Sequence, residues 1–335
     1  MQPNPLLGLL NSPPPDLTDA QAQALALQHF GVEGHQRRLT SERDLNIHIA
    51  TPTQGYVLKL ANPAEPPEVT DFQTQALLHL EQTDLPVPRV IRTLCGKTEA
   101  IIPQGTLRLL TYLEGTPLHS TPRSPTQTAA MAQMAARLTV GLQGFVHPAA
   151  DHVLQWDIKH ASALRPLLPA IPDDLRDLAT NCLNRFDAEI APQLPRLRWQ
   201  VVHNDLNPHN VLTDPADPDQ IAGVLDFGDM VHTPLICDAA IAASYLIDPA
   251  QPLDSLQTFA RAYHATLPLT AQEAQLFPDL VATRMLTTLA ITASRAARYP
   301  ENAAYILRNF ATSRDGLRAL AAIPRTTLQT AMECL

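Results

Sequence analysis

The sequence predicts an α+β chain, with a small antiparallel sheet near the N-terminus and a larger, mainly helical part after it. Three observations point there. Between Leu45 and Leu60 apolar residues recur at every second position: Leu45, Ile47 and Ile49 alternate with Asn46 and His48, then Tyr56, Leu58 and Leu60 alternate with Val57 and Lys59. From Met131 the spacing changes to three and four, as in Met131, Met134, Leu138 and Leu142. A chain of 335 residues, 45% of them hydrophobic, can bury one large core or two moderate ones, so two lobes are expected.

The elements follow in order. Residues 1–15 are proline-rich and expected to be loosely held, after which Asp16 or Thr18 can cap a helix through Phe30, with Ala24, Leu27 and Phe30 as its face. The turn Leu39–Asp44 precedes the hairpin, and Thr51–Gly55 joins its two strands. Residues Asp71–Leu80 read as a helix, and Ala100–Ile102 and Leu107–Tyr112 as short strands. A polar linker, Ser120–Pro125, leads into the helical part, where Leu175, Leu178, Cys182, Phe186 and Ile190 form a second stripe. Further helices are expected near Leu235–Ile247, Leu256–Leu267, Ala271–Tyr299, with Pro278 a candidate break, and Asn302–Ala322.

Charge and cysteine usage exclude several classes. The formal charge is −9 and the pI 5.7, with no run of lysine or arginine, so the electrostatic footprint of a nucleic-acid binder is missing. The four cysteines are scattered and none forms C-x-x-C, which indicates neither a disulfide framework nor a zinc ribbon. The first fifteen residues lack the basic start of a secretory signal, and the apolar stretch Leu235–Ile247 contains Asp238 and is too short to cross a bilayer. A cytoplasmic protein with no membrane partner is the expectation.

The chemistry is concentrated between Val201 and Asp238. In HNDLNPHN, apolar residues on both sides anchor a loop that presents Asp205 and Asn210 together, and Pro208 stiffens it. In GVLDFG, a short apolar strand delivers Asp226, and Gly228 permits a sharp change of direction. Hard cations such as Mg²⁺ take oxygen ligands and keep waters, so Asn210 and Asp226, completed by substrate phosphates, suit such an ion. Asp205 is then left as a base.

The pattern H-x-D-x-x-x-x-N followed by D-F-G resembles the catalytic and metal loops of protein kinases, without their Arg after the His or their A-P-E segment. With Asn-Pro-His-Asn after the Asp, it looks like the aminoglycoside phosphotransferase and choline kinase group, and most like its hydroxylysine kinase type. That resemblance implies a protein-kinase-like two-lobe fold, with residues 1–112 binding nucleotide and 113–335 carrying catalysis and the acceptor. It implies transfer of a phosphoryl group from ATP or GTP, with Mg²⁺, to the hydroxyl of a small molecule. Amino alcohols, hydroxylated amino acids such as homoserine, choline, ethanolamine and aminoglycosides are the candidates, and the acidic balance suits a cationic one.

The resemblance also assigns residues. Asp205 is the base, Asn210 and Asp226 hold the metal, and Lys59 in YVLKL holds the α- and β-phosphates, although a lysine on a solvated strand face would read the same. Ser41, in a turn without glycine, is a candidate phosphate contact or a bland turn residue. Thr111 and Leu113 lie where the inter-lobe hinge would meet adenine. Gln73 stands where an acidic partner of the strand lysine is usual, which leaves Glu68 and Asp71 as substitutes. His203 is expected beneath the loop and Asp238 as a buried brace of its backbone. Asp229 and His232 suit either the acceptor pocket or capping. Two other classes compete: a metal-dependent hydrolase built on His203, Asp205, His209, Asp226 and His232, and a non-catalytic nucleotide-binding module.

Overall fold

The computed structural model describes residues 15–41 and 43–335, so the proline-rich start lies outside the described residues up to position 14. The chain divides into two compact units: the first comprises residues 1–115, 145–153 and 222–228, the second residues 116–144, 154–221 and 229–335.

In the first unit, α1 (Asp19–Phe30) is capped by Thr18, whose side chain and that of Gln21 satisfy each other's backbone amides. It is followed by β1 (His35–Leu39), β2 (Leu45–Ala50), β3 (Gly55–Leu60), α2 (Pro67–Leu80), β4 (Val90–Ile91), β5 (Ala100–Ile102) and β6 (Gly105–Thr111). The sheet order is β1-β2-β3-β6-β4, with β5 also pairing with β6, and every pairing described is antiparallel. The alternation read from sequence holds: Leu45, Ile47, Ile49, Leu58 and Leu60 are buried, and α1 packs on them. Two expectations change. The buried face of α1 is Ala22, Ala26 and Phe30, while Leu27 is 48% exposed, because a strict i, i+4 row meets the sheet. β1, a polar edge strand with no alternation to announce it, extends the hairpin to a third strand.

The second unit begins with β7 (Thr116–Pro117), which pairs with β9 (Val211–Thr213), and has a two-stranded ribbon of β8 (Trp199–Val202) and β11 (Val231–Pro234); β10 (Ile221–Val224) follows β9 in the chain and, but for its first residue, belongs to the first unit. Its body is α3 (Pro125–Gly141), α4 (Asp173–Arg185), α5 (Ile236–Ser244), α6 (Pro252–Thr266), α7 (Ala271–Arg298), α8 (Ala303–Ile306), α9 (Phe310–Ala321) and α10 (Arg325–Glu333). Met131, Met134, Leu138 and Leu142 are all buried. The second stripe is Leu175, Ala179, Leu183, Phe186 and Ile190, with Leu178 and Cys182 half-buried. α7 runs unbroken through Pro278, which sits amid buried Leu276, Phe277 and Leu280, so packing offsets the hydrogen bond that proline cannot make. That helix is long and apolar enough to cross a membrane, yet 94% of the apolar stretch is buried within the chain, as in a core helix. The helix expected over Asn302–Ala322 is instead two, α8 and α9, parted at Leu307–Asn309.

Candidate active site

Lys59 lies on β3 between Asn46 of β2 and Arg108 of β6, so two cations stand side by side on one sheet face. Neither is left in water: 13% of the Lys59 side chain is exposed, and Arg108 is buried. The carboxylate nearest the lysine comes from the β1–β2 loop, with Asp44 Oδ2 3.8 Å from Lys59 Nζ. Asn62, just past β3, holds that loop by donating its backbone N–H to Asp44 and its side-chain amide to the Arg43 carbonyl.

The expected substitutes on α2 do not serve. Asp71 pairs with His147 at 3.1 Å and accepts from Gln75, and Glu68 is exposed. Gln73 is committed elsewhere, its Oε1 accepting from Arg108 Nη2 at 2.9 Å and its Nε2 donating to Glu65 Oε2 at 3.3 Å. Burial pushes the Glu65 carboxyl up, and Asp44 adds to it, while Arg43, Arg108 and Lys59 pull it down. A neutral amide at position 73 is therefore what the surroundings require, since a second carboxylate would face Glu65.

Ser41 is half-buried in the same β1–β2 loop. At the end of β6 the backbone N–H of Thr111 donates to the Arg89 carbonyl and its hydroxyl accepts from Arg89 N, while Tyr112 N donates to Gly55. The sheet thus uses the Thr111 N–H and hydroxyl, and Leu113 is the first of the hinge residues beyond these bonds.

Asp226 has φ +58°, a left-handed backbone that non-glycine residues seldom adopt and that tends to mark functional turns. Its Oδ1 accepts from Gly228 N at 3.2 Å. A β-carbon on Gly228 would lie 3.0 Å from that oxygen and 3.1 Å from Arg43 Nη2, so any larger residue would disturb the carboxylate.

In the second unit, β8 ends at Val202, and the loop to β9 carries Asp205. Its carboxylate is met by three side chains: Asn207 Nδ2 at 2.9 Å and Arg284 Nη2 at 3.4 Å on Oδ1, and Asn210 Nδ2 at 2.7 Å on Oδ2. Such donors suit an ionised, acceptor-only carboxylate. Because the Asn210 amide nitrogen is spent on Asp205, its Oδ1 is the end turned away, and an amide oxygen is a proper ligand for a hard cation. One carboxylate, Asp226, and one amide oxygen, Asn210, are donors of the kind Mg²⁺ takes when phosphates and water complete its shell.

The loop is braced from below. His203 is fully buried and its Nδ1 accepts from Asp205 N at 3.2 Å. Asn204 has φ +65°, and its backbone N–H donates to Asp238 Oδ1 at 2.7 Å. Burial pushes the Asp238 carboxyl up to about 7, against the pull of the Asn204 amide and Arg284. Arg284, on α7, is the member that sequence reading missed. It is buried, donates to the Trp156 carbonyl (2.9 Å) and Tyr245 Oη (3.1 Å), and lies over both rings, with its carbon 5.2 and 5.8 Å from their centroids. Burial works against its charge, and Tyr245 and Asp205 outweigh burial, so its pKa is raised.

Asp229 is 8% exposed and lies in the field of Arg284. His232 is on β11 opposite Val201, its ring 5.4 Å from that of Trp199 and its carbonyl accepting from Lys159 Nζ. The histidines proposed for a hydrolase therefore go to separate partners, with the His209 ring tilted against that of His119 at 4.1 Å. Among the described residues no three His, Cys, Asp or Glu side chains gather as a metal-holding group.

An antiparallel sheet carrying a partnered lysine, an Asp–Asn loop and an Asp-Phe-Gly turn define a protein-kinase-like phosphotransferase. The comparisons with known proteins agree. Residues 35–276 match the model of the phosphotransferase enzyme family, and the chain belongs to that family. It is similar to the hydroxylysine kinases of Danio rerio (30% identity, 92% of this chain and 91% of that one) and Mus musculus (29%, 88% and 86%). Among solved structures, amicoumacin kinase hAmiN, in complex with AMP-PNP, Ca²⁺ and Ami, shares the fold with a TM-score of 0.68 at 15% identity, over 92% of this chain and 95% of that one. The protein is a small-molecule kinase, which overturns the hydrolase and the non-catalytic module.

Proposed function

We propose that the protein transfers the γ-phosphate of ATP to a hydroxyl of a small amino alcohol or hydroxylated amino acid, hydroxylysine first among them, in the cytoplasm. The observation that carries this reading is the arrangement at Asp205. Its two oxygens are fixed by Asn207, Asn210 and Arg284, which orient the carboxylate while 20% of its side chain stays open to a hydroxyl. Similarity to hydroxylysine kinases along most of the chain supports the acceptor class.

In this mechanism Asp205 orients the acceptor hydroxyl and takes its proton as the oxygen bonds to phosphorus and the bond to the leaving ADP oxygen breaks. Lys59, steadied by Asp44, binds the nucleotide's phosphates, Ser41 adds a hydroxyl contact, and Leu113 offers backbone to the base. Asn210 Oδ1 and Asp226 would hold Mg²⁺, which when bound neutralises phosphate charge. Residues 1–112 form the nucleotide-binding part, and residues 113–335 carry the catalytic groups and the acceptor.

A nucleotide-consumption screen of the purified protein tests the reading, run against hydroxylysine, homoserine, choline, ethanolamine, sugars and aminoglycosides with ATP or GTP, and Asp205→Ala as the blank. ADP release with hydroxylysine or another amino alcohol is expected. Turnover confined to sugars, or none with any acceptor, would overturn it.

A further inference from the structure

Within the second unit lies a cavity of about 220 Å³ that none of the assignments above uses. One wall is the loop that carries Asp205, through Pro208 and His209; others are His119, Thr121, Arg123, Gln127 and Tyr245; the last is the break between α8 and α9, with Arg308 and Asn309. Its lining contains two arginines, two histidines and neutral hydrogen-bonding groups, and no aspartate or glutamate. For a chain of charge −9, a concave surface with this lining is a local reversal of sign.

One of the two arginines is set in place. Arg308 donates to the Tyr305 carbonyl at 3.1 Å and lies over its ring, 4.0 Å from the centroid. Gln127, 1% exposed, donates to Thr121 Oγ1 and the Pro218 carbonyl, both at 2.8 Å, which fixes the opposite wall. The imidazoles of His119 and His209, tilted by 32° with centroids 4.1 Å apart, hold the floor, and His119 N donates to the Pro208 carbonyl at 3.0 Å. The cavity is also wired to the reacting end: Tyr245 lines it and accepts from Arg284, which in turn holds Asp205. Pro208 is three positions along the chain from Asp205, so their Cα atoms are at most about 11 Å apart.

We infer that this cavity is the acceptor's carboxylate subsite, in which Arg308 and Arg123 bind the α-carboxylate of a hydroxylated amino acid while its hydroxyl is at Asp205. The inference rests on the function proposed above and narrows it from amino alcohols to amino acids. Guanidinium groups match carboxylates in shape and charge, and an ammonium alone would find no carboxylate partner in this lining. The volume falls below the roughly 300–1,000 Å³ of drug-sized ligand sites, which suits one end of a small molecule. A nucleotide phosphate is the other anion at hand, but Lys59 answers for it in the reading above.

Steady-state kinetics with hydroxylysine and its carboxamide, in which a neutral amide replaces the carboxylate, on wild type, Arg308→Gln, Arg123→Gln and the double variant, tests this. Hydrogen bonds to charged groups contribute about 1.5–3 kcal/mol, or roughly 10- to 150-fold. Wild type should prefer the free acid by at least about 10-fold in kcat/KM, and the double variant should lose most of that preference through KM for the acid, with KM for ATP within about twofold. An unchanged preference, or a rise in KM for ATP instead, overturns the carboxylate subsite while phosphorylation of hydroxylysine still stands. If neither compound is phosphorylated, the proposed acceptor class fails. Equilibrium binding of hydroxylysine with a non-hydrolysable ATP analogue then decides the cavity: binding weakened at least about 10-fold in the double variant sustains it, and equal or absent binding refutes it.

Discussion

Replacing Arg284 by methionine removes a buried charge and leaves its volume largely filled. At 3.4 Å from Asp205 Oδ1, a full pair of unit charges interacts by about 5 kcal/mol at an effective dielectric of 20. With 20% of its side chain exposed and two amides still bound, Asp205 should forfeit about half of that. The Trp156 carbonyl and the Tyr245 hydroxyl also lose a donor, each worth about 1 kcal/mol or more when buried. A loss of about 3–5 kcal/mol follows, in the range for breaking a buried pair. For a unit of this size that lowers the melting temperature by roughly 6–20 °C, which differential scanning calorimetry reads directly. Turnover, assayed at a temperature where the variant is folded, should fall about 10- to 100-fold because the carboxylate loses one of its three anchors. Arg284→Lys should recover part of the stability through its charge but not the fork between Trp156 and Tyr245. A methionine variant that melts within about 2 °C of wild type, with unchanged turnover, would show that Arg284 does not hold Asp205.

Three further outcomes follow from the same geometry. Gln73→Glu, which restores the acid usual in kinases, should lower stability and bring no gain in turnover, because the new oxygen meets Glu65 where Nε2 donated at 3.3 Å; a faster enzyme would contradict the assignment of Asp44 to Lys59. Asp238 titrates near 7 when folded against an ordinary value of 3.8, so the folded state binds the extra proton between those values. Its contribution is full below about pH 4 and lost as pH rises through 7, about 4 kcal/mol at most, and melting curves from pH 5 to 8 should be flatter for Asp238→Asn than for wild type. Parallel profiles would refute that titration. Asp226→Asn should raise the Mg²⁺ concentration for half-maximal activity at least about 10-fold, and an unchanged Mg²⁺ titration would remove Asp226 from the metal.

The sequence made the sheet and the two loops legible because both rest on local rules. Period-two alternation needs only neighbouring residues, and Leu45 to Leu60 displays it cleanly. The loop from His203 to Asn210 keeps its chemistry within eight positions, so spacing alone announced it. What stayed hidden depends on register and on distant partners. Arg284 follows Asp205 by 79 positions, and nothing in the apolar stretch around it signals a contact with a carboxylate. Asp44 and Arg108 reach Lys59 only through strand pairing, which a linear string does not display. The phase of α1 was misjudged for a related reason: Ala22, Ala26 and Leu27 are all apolar, and only packing on the sheet chooses among them. The break between α8 and α9 has no proline or glycine to mark it, yet it is what brings Arg308 to the cavity.

The proposed phosphoryl transfer depends most on Asp205 as the group that accepts the hydroxyl proton. Asp205→Ala should lose about 10²- to 10⁴-fold in turnover with the best acceptor, while the affinity for ATP, measured separately by equilibrium titration, stays within about threefold of wild type. Turnover close to that of the wild type, with the variant folded and nucleotide bound, would contradict it.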